Sequence, residues 1–282
     1  MILVFGKTGQ VARELQRLGN VVALGREEAD LSEPKSCADA IRNYAPHAVI
    51  NAAAYTSVDM AEKEEALASV INTDAPAAMA KICAELDTPL VHISTDYVFD
   101  GKGESSWAPS DPTVPQNAYG RTKLAGERSI RQSGATYAIL RTSWVVSAHG
   151  TNFIKTMLRL AKTIDEINVV ADQIGGPTTA HDIAAACLLS AEQLIKDPSK
   201  SGTYHYSGAP EVSWAEFATE IFARAGLSVT VNPVPSAVYP TPAVRPLNSR
   251  MDCTAIEQVF GVDRPDWRLG LDKILCELRG GE

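Results

Sequence analysis

Short apolar runs alternate with longer amphipathic stretches along the first half of the chain. The runs are apolar at nearly every position and do not alternate with polar residues, which is typical of strands buried on both faces of a parallel sheet. The stretches between them carry apolar residues every three to four positions and predict helices that cover those faces. The predicted strands are residues 2–5, 21–24, 48–50, 90–93 and 137–140. We therefore expect an α/β fold with a doubly wound parallel sheet, the Rossmann architecture.

The alternation of strand and helix patterns is less regular after Trp144, where Pro- and Gly-rich stretches separate the helical patterns. The predicted helices of this half are residues 152–162, 179–195, 213–225 and 272–278. We expect a first domain over residues 1–146 and a smaller α/β lobe formed mainly by residues 147–282. Segments around 167–195 are expected to return to the first sheet.

Composition narrows the class of protein. The chain has 282 residues, 45% of them hydrophobic, and 26 Lys and Arg against 34 Asp and Glu, a net charge of −8. These values are typical of a globular protein, and the acidic balance disfavours nucleic acid or an anionic membrane as the main partner. The five cysteines are widely spaced without a CxxC pair, and the apolar start is too short for a signal peptide. We therefore expect a cytoplasmic protein without a disulfide framework or a structural zinc site.

A glycine pair follows the first predicted strand. Gly6 and Gly9 lie in the sequence GKTGQVA, between that strand and the first helix, and Ala12 replaces a third glycine. Glycines there allow a tight turn and the approach of a pyrophosphate to the helix N-terminus. The pattern predicts dinucleotide binding, with an ordinary strand-to-helix turn as the alternative.

The end of the second strand bears on the choice of cofactor. It reads Leu24-Gly25-Arg26, without the carboxylate that binds the ribose 2′-hydroxyl of NAD. Arg26 favours NADPH, although NADH stays open because Arg26 could also be a solvated loop residue. Asp30 and Leu31 follow and could flank the adenine.

A Tyr-x-x-x-Lys pair opens a predicted helix. Tyr119 and Lys123 are four residues apart and share a helical face. A nearby ammonium lowers the pKa of a phenol, so Tyr119 is expected to donate a proton to a forming alkoxide. Thr95 follows the strand at 90–93, where open α/β sheets bind their ligands, and could bond the same oxygen. The small residues after Asn51 would let a cofactor lie against the backbone.

Taken together, these motifs resemble the dTDP-4-dehydrorhamnose reductase family of the extended short-chain dehydrogenase/reductases. The resemblance runs across nearly the whole chain. The matching segments are FGKTGQV (5–11), NAAAYTSVDMAE (51–62), STDYVFDG (94–101), YGRTKLAGE (119–127), RTSWV (141–145), NFIKTMLRLAK (152–162) and YPTPAVRPLNSRMD (239–252).

The resemblance implies NADPH-dependent reduction of the C4 ketone of dTDP-6-deoxy-L-lyxo-4-hexulose to dTDP-L-rhamnose. Tyr119 would donate the proton, and Lys123 would hold the ribose hydroxyls of the cofactor. The other implied cofactor contacts are Gly9, Gln10 and Val11 at the pyrophosphate, Asp30 and Leu31 at the adenine, and Ala54, Tyr55 and Thr56 at the nicotinamide ribose. The implied substrate contacts are Thr95 and Asp96 at the sugar, Trp144 packed against it, and Arg245 and Arg250 at the diphosphate.

One implied feature departs from the family pattern. Some members dimerise around a magnesium ion held by glutamates, and Glu14 and Glu277 fall at two matching positions. The third position is His181, and imidazole is a poor ligand for Mg²⁺. We therefore expect no metal here and leave a homodimer open. None of the five histidines is assigned a catalytic role.

Two other functions remain open from the sequence. One is another reductase, epimerase or dehydratase of nucleotide 4-keto-sugars on the same scaffold. A single acid, Asp96, follows Thr95, whereas those dehydratases carry an acidic pair, and this favours simple reduction. The other is a non-catalytic dinucleotide-binding subunit of the type that regulates methionine adenosyltransferase. The intact set of Thr95, Tyr119 and Lys123 argues against it.

Overall fold

The computed structural model describes residues 1–280. Strands and helices alternate through the first half in the predicted order. These elements are β1 (Ile2–Phe5), α1 (Gln10–Leu18), β2 (Val21–Leu24), α2 (Pro34–Tyr44), β3 (Ala48–Asn51), α3 (Val58–Ala61), α4 (Glu65–Ser69), α5 (Ala75–Glu85), β4 (Leu90–Thr95), α6 (Ala118–Gln132) and β5 (Tyr137–Thr142). A π-helical turn at Val70–Asp74 joins α4 to α5.

The second half contains shorter strands between its helices. Its elements are β6 (Val145–Val146), α7 (Phe153–Leu160), β7 (Glu166–Val170), β8 (Ile174–Gly175), β9 (Thr178–Thr179), α8 (Ala180–Lys196), β10 (Gly202–His205), β11 (Val212–Ser213), α9 (Trp214–Ala225), β12 (Thr230–Val234), β13 (Asn248–Ser249), α10 (Thr254–Phe260) and α11 (Trp267–Gly280). No helix within residues 1–280 has the length and apolar character needed to cross a membrane.

Six parallel strands form the central sheet in the order β10-β5-β4-β3-β1-β2. Successive side chains of a strand point to opposite faces, and both faces of this sheet are covered. In β1, for example, Val4 packs in the apolar cluster with α1 and α8, whereas Leu3 and Phe5 pack in the cluster with α2 and α5. The predicted doubly wound parallel sheet is confirmed.

Residues after the middle of the chain contribute to both parts of the molecule. Helix α8 packs on α1 beneath the central sheet, and β10 supplies its edge strand. In contrast, β7 pairs with β12 outside that sheet. A separate apolar cluster joins α7, α9 and α11, with Phe217 and Trp267 near its centre. The stretch 167–195, which was expected to return to the first sheet, contains α8 but no strand of that sheet. The sixth strand of the sheet, β10, comes from residues after this stretch.

Candidate active site

A cavity of about 780 Å³ opens at the carboxyl edge of the central sheet. The loops that follow β1, β3, β4 and β5 line it, as expected for an open α/β sheet. Fifteen of the predicted site residues lie on its wall. They are Gly6, Gly9, Gln10, Val11, Arg26, Asp30, Leu31, Ala54, Tyr55, Thr56, Thr95, Asp96, Tyr119, Lys123 and Trp144.

The turn after β1 requires glycine at position 6. Gly6 has φ +107°, and a Cβ there would lie 3.2 Å from the carbonyl oxygen of Ala52. The amide of Gly9 donates to the Gly6 carbonyl at 3.0 Å and closes the turn. Helix α1 then starts at Gln10 with no acidic side chain in its first turn. This turn fits a dinucleotide pyrophosphate, because it leaves open space beside the N-terminus of α1, where the backbone amides carry a partial positive charge.

Arg26 and Asp30 lie at the end of the cavity beside β2. The Arg26 guanidinium is 3.9 Å from the Asp30 carboxylate, and its side chain is 83% exposed. Asp30 accepts from the Ser32 amide at 2.8 Å. That hydrogen bond lowers the pKa of Asp30 and outweighs burial. The Arg26 side chain is thus an exposed cation at this end of the cavity.

Tyr119 lies in the first turn of α6, which an asparagine caps. The Asn117 side chain accepts from the Gly120 amide at 2.8 Å and fixes where the helix begins. The Tyr119 ring packs edge-to-face against Tyr97, with centroids 5.4 Å apart. Burial raises the pKa of Tyr119 to about 12, although its contact with the Thr95 side chain opposes this rise.

The expected lowering of the Tyr119 pKa by Lys123 is therefore wrong for this structure. The reason lies in the partners of Lys123, which is 1% exposed. Its Nζ donates to the Ile93 carbonyl at 2.7 Å and lies 3.1 Å from Nε2 of His92. Burial lowers the pKa of Lys123 to about 8, with the Glu127 charge opposing. Lys123 is thus buried and Tyr119 is half-buried, and each is held by neighbours other than the other.

Thr95 and Asp96 form a hydrogen-bonded pair at the tip of β4. The Thr95 hydroxyl donates to Asp96 Oδ1 at 3.1 Å, and Ser249 Oγ donates to Asp96 Oδ2 at 2.5 Å. Burial raises the pKa of Asp96 to about 6, while the hydrogen bonds from Ser249 and Thr95 oppose it. Ser249 comes from β13, so this network ties the second half of the chain to the site.

Trp144 stands on the far wall of the cavity. Its ring stacks on Trp214, with centroids 3.6 Å apart and an interplanar angle of 8°. The backbone of Trp144 has φ 50°, a left-handed conformation that a bulky residue rarely adopts. Gly175 lies against the edge of the ring, where a Cβ would be 3.0 Å from Cε2. Trp214 and Gly175 thus hold the Trp144 ring in place, and the ring forms a flat apolar wall of the cavity.

Arg245 and Arg250 lie outside the residues that line this cavity. Arg245 pairs with Asp59 at 2.6 Å, and Arg250 donates to the Asn248 side chain at 3.0 Å. Nη1 of Arg245 is buried without a hydrogen-bond partner among the described residues. Their predicted contact with a diphosphate stays a prediction.

The positions considered for magnesium lie in a cluster of polar and charged side chains. Glu14 contacts His149 at 2.8 Å and His181 at 3.3 Å. The Arg17 guanidinium lies between Glu14 and Glu277, at 3.2 Å and 2.9 Å. Within residues 1–280, no group of three or more His, Cys, Asp or Glu side chains is arranged to hold a metal ion. An arginine thus lies between the two glutamates.

Three residues around the site were not assigned from the sequence. Ser249 lies in one of the family segments, so its position carried a usable signal. His92 was seen only as a histidine without ligand spacing. Trp214 follows Ser213, which caps α9 with a reciprocal bond to Glu216, and its stacking on Trp144 arises only from the tertiary fold.

Known proteins resemble this chain over its whole length. The family described as the RmlD substrate binding domain matches residues 1–279. A dTDP-4-dehydrorhamnose reductase of Escherichia coli K12 is 41% identical, over 98% of this chain and 97% of the relative. A protein of the same name from Sinorhizobium fredii is 43% identical over the same shares.

Solved structures give the same result. A dTDP-4-dehydrorhamnose reductase of Clostridium acetobutylicum superposes with a TM-score of 0.91 and 35% identity, covering 99% of both chains. One from Bacillus anthracis, in complex with NADP, has a TM-score of 0.90 and 35% identity, covering 98% of both. The UDP-glucose 4-epimerase of Thermus thermophilus, at 19% identity, shares the fold. The resemblance predicted from the motifs is confirmed, and the chain belongs to the dTDP-4-dehydrorhamnose reductase family.

Proposed function

We propose that this protein reduces the C4 ketone of dTDP-4-dehydro-L-rhamnose to dTDP-L-rhamnose with NADPH. One observation carries the proposal: Thr95, Tyr119 and Lys123 line the same cavity as the glycine turn of β1. A dinucleotide cradle and a proton donor in one cavity are the two parts that ketone reduction requires. The relatives that match over nearly their full length are named dTDP-4-dehydrorhamnose reductases, and this supports the proposed substrate.

The cofactor would lie across the carboxyl edge of the sheet. When bound, NADPH supplies the hydride. Gly6, Gly9, Gln10 and Val11 would bind its pyrophosphate, and Arg26 would bind its 2′-phosphate. The remaining contacts proposed for it are Asp30 and Leu31 at the adenine, Ala54, Tyr55 and Thr56 at the nicotinamide ribose, and Lys123 at the ribose hydroxyls.

Tyr119 is proposed to protonate the oxygen at C4. Because burial raises the pKa of Tyr119 to about 12, its phenol stays protonated through the neutral range and is ready to donate. The Thr95 hydroxyl would bond the same oxygen and stabilise the charge that develops on it. A raised pKa makes this phenol a weaker acid. The rate enhancement would therefore have to come from its proximity to the developing alkoxide.

The sugar is proposed to lie between the strand tip and the flat wall on the other side. Asp96 would accept from a sugar hydroxyl, and Trp144 would pack against the apolar face of the ring. Arg245 and Arg250 are proposed to bind the diphosphate. Arg245 would then have to exchange its pairing with Asp59 for the ligand.

Several broader expectations also remain proposals. Residues 1–146 would form the dinucleotide-binding part, and 147–282 would form mainly the substrate lobe, of which 281–282 lie outside the described residues. A cytoplasmic location and a homodimer are further proposals. Light scattering on the purified protein would test the dimer.

The decisive experiment follows a label into the product. The enzyme is incubated with dTDP-4-dehydro-L-rhamnose and NADPH that carries deuterium at the transferred position. We expect dTDP-L-rhamnose with deuterium at C4, identified by NMR. Binding of NADPH without turnover would contradict the proposal and favour another 4-keto-sugar substrate, or the non-catalytic role if every such substrate failed.

A further inference from the structure

A loop from the second half of the chain lies against the turn that follows β1. The loop spans residues 147–152 and leads into α7, and its Gly150 lines the cavity together with Gln10. Gln10 is the first residue of α1. Its Oε1 is 2.7 Å from Oγ of Ser147 and 3.0 Å from Nδ2 of Asn152. The Gln10 side chain therefore joins the two halves of the chain beside the proposed pyrophosphate position.

The start of α7 fixes the orientation of the Asn152 amide. Its Oδ1 accepts from the Lys155 amide at 3.3 Å and so caps the helix. Its Nδ2 donates to the carbonyls of Ser147 and His149, at 2.7 and 3.2 Å. The reversed amide would set Oδ1 against two carbonyl oxygens, which only accept, and NH₂ against the Lys155 N–H. The NH₂ group of Asn152 is therefore the end that meets Gln10.

This donor in turn orients the Gln10 amide. The Ser147 hydroxyl can donate or accept, so it is compatible with either end of the Gln10 side chain. The Asn152 NH₂ group only donates, and the atom 3.0 Å from it must therefore be the oxygen of Gln10. The NH₂ group of Gln10 is then turned away from both contacts and has no hydrogen-bond partner among residues 1–280. Because Gln10 lines the cavity, this group can donate to a ligand there.

Packing in the lobe holds the Asn152 donor in place. Phe153, the next residue, packs against Trp214 and Phe217, with ring centroids 4.5 and 5.7 Å away. These rings belong to the apolar cluster that joins α7, α9 and α11, in which Phe217 is 1% exposed. The first residues of α7 are thus anchored in the lobe, and Asn152 meets Gln10 from a fixed support.

We propose that Asn152 is a positioning residue for cofactor binding: it holds the Gln10 side chain so that its NH₂ group donates to the pyrophosphate of NADPH. Pyrophosphate oxygens accept such bonds, and they add to those from the amides at the start of α1. Through Asn152 the lobe contributes to cofactor binding without touching the cofactor at this point. The inference rests on the cofactor position proposed above, but it does not depend on the sugar substrate.

Calorimetric titration of the enzyme with NADPH measures the effect. Gln10→Ala removes the donor and should raise the NADPH Kd about tenfold. Asn152→Ser keeps a good helix cap but is too short to hold Gln10, and should raise the Kd about fivefold. The double variant should bind about as well as Gln10→Ala, because Asn152 acts through Gln10. Independent effects, with a Kd about fiftyfold above wild type in the double variant, or an unchanged Kd in Asn152→Ser, would overturn the proposal.

Adenosine 2′-monophosphate provides a matched control ligand. It has the adenosine end of NADPH but no pyrophosphate, so its Kd should stay within about twofold of wild type in all three variants. An equal loss of affinity for both ligands would reveal a general disturbance of the cavity and contradict the positioning role. Wild-type enzyme that fails to bind NADPH would contradict the proposed function as well, whereas NADPH binding that is insensitive to the variants contradicts this inference alone.

Side-chain NMR tests the same contact in the wild-type protein and does not depend on the stability of the variants. The ¹⁵N signals of the Gln10 NH₂ group are assigned through its backbone resonances. We expect NADPH to shift these signals and adenosine 2′-monophosphate to leave them in place. Gln10 side-chain signals that stay unchanged when NADPH saturates the enzyme would overturn the proposal.

Discussion

Ser249 and Asp96 join the two halves of this molecule through a hydrogen bond of 2.5 Å. Ser249 is brought to the tip of β4 by β13, which pairs with β8 of the lobe rather than with the central sheet. Both side chains are buried, at 1% and 3% exposure. Asp96, a residue of the candidate site, therefore depends directly on β13 for one of its hydrogen bonds.

Asp96 should make stability depend on pH. Its pKa in the folded protein is about 6, above the unfolded value of about 3.9, so the folded state retains a proton that the unfolded state releases. This contribution is fully present below pH ~4 and is lost as pH rises through about 6, by up to ~3 kcal/mol. Urea unfolding of wild type and Asp96→Asn across this range measures it.

The stability of wild type relative to Asp96→Asn should fall over that window. Ser249→Ala provides the control, because it removes a donor that holds the Asp96 pKa down. In that variant the window should move to higher pH. A stability difference that stays constant with pH would contradict the raised pKa.

Gly6 should be required for both folding and cofactor binding. In Gly6→Ala, the new Cβ would meet Ala52 and Ala53 at 3.1–3.2 Å in a left-handed backbone. We expect a loss of about 1–3 kcal/mol in unfolding free energy and at least about tenfold in NADPH affinity. Gly134→Ala is the matched control, since Gly134 has φ +81° but no neighbour within 4 Å. It should lose stability but bind NADPH normally.

The buried ion pair behind the site should be costly to break. Arg141 donates twice to Glu127, at 2.9 and 2.7 Å, and both are buried. Burial alone would raise the pKa of Glu127, but Arg141 holds it below its ordinary value. Arg141→Met leaves a buried carboxylate without its main partner and should cost ~3–5 kcal/mol of unfolding free energy.

An exposed pair provides the comparison. Lys35 contacts Asp39 at 2.8 Å, but its side chain is 88% exposed. Lys35→Ala should therefore change the unfolding free energy by no more than about 0.5 kcal/mol. Similar losses of unfolding free energy in Arg141→Met and Lys35→Ala would show that burial does not determine how much the Arg141–Glu127 pair contributes to stability.

Arg26 should set the preference between the two nicotinamide cofactors. Its guanidinium lies at the adenosine end of the cavity with only a distant carboxylate partner, 3.9 Å away. Arg26→Ala should raise KM for NADPH by about tenfold and leave KM for NADH within about twofold, because only NADPH carries the 2′-phosphate. Steady-state rates with both cofactors measure this. An equal change for both would exclude contact with the phosphate.

The sequence predicted the first half of the fold closely because its strands are apolar on both faces. The predicted runs at 2–5 and 21–24 coincide with β1 and β2, and α6 begins one residue before Tyr119. The edge strand β10 was missed, because Gly202–His205 has little apolar character and owes its structure to pairing with β5. The two-residue strands of the lobe likewise depend on tertiary contacts that no local pattern encodes.

The site was predicted where its residues lie in local motifs. The glycine turn, Thr95, Tyr119 and Lys123 meet in one cavity as expected. The direction of the Tyr119 pKa shift was predicted wrongly, because it depends on burial and on the partners that Lys123 finds in β4. Trp214 is 70 residues from Trp144 in sequence, and only the folded lobe brings their rings together.

The most direct test of the account is the rate of NADPH oxidation by Tyr119→Phe with dTDP-4-dehydro-L-rhamnose as substrate. Removing the phenolic hydroxyl should lower kcat by about 10²–10⁴-fold, the usual contribution of a positioned proton donor. The NADPH Kd should stay within about threefold, since the ring and its packing on Tyr97 remain. A variant that binds NADPH and turns over at nearly the wild-type rate would contradict the role of Tyr119 as proton donor.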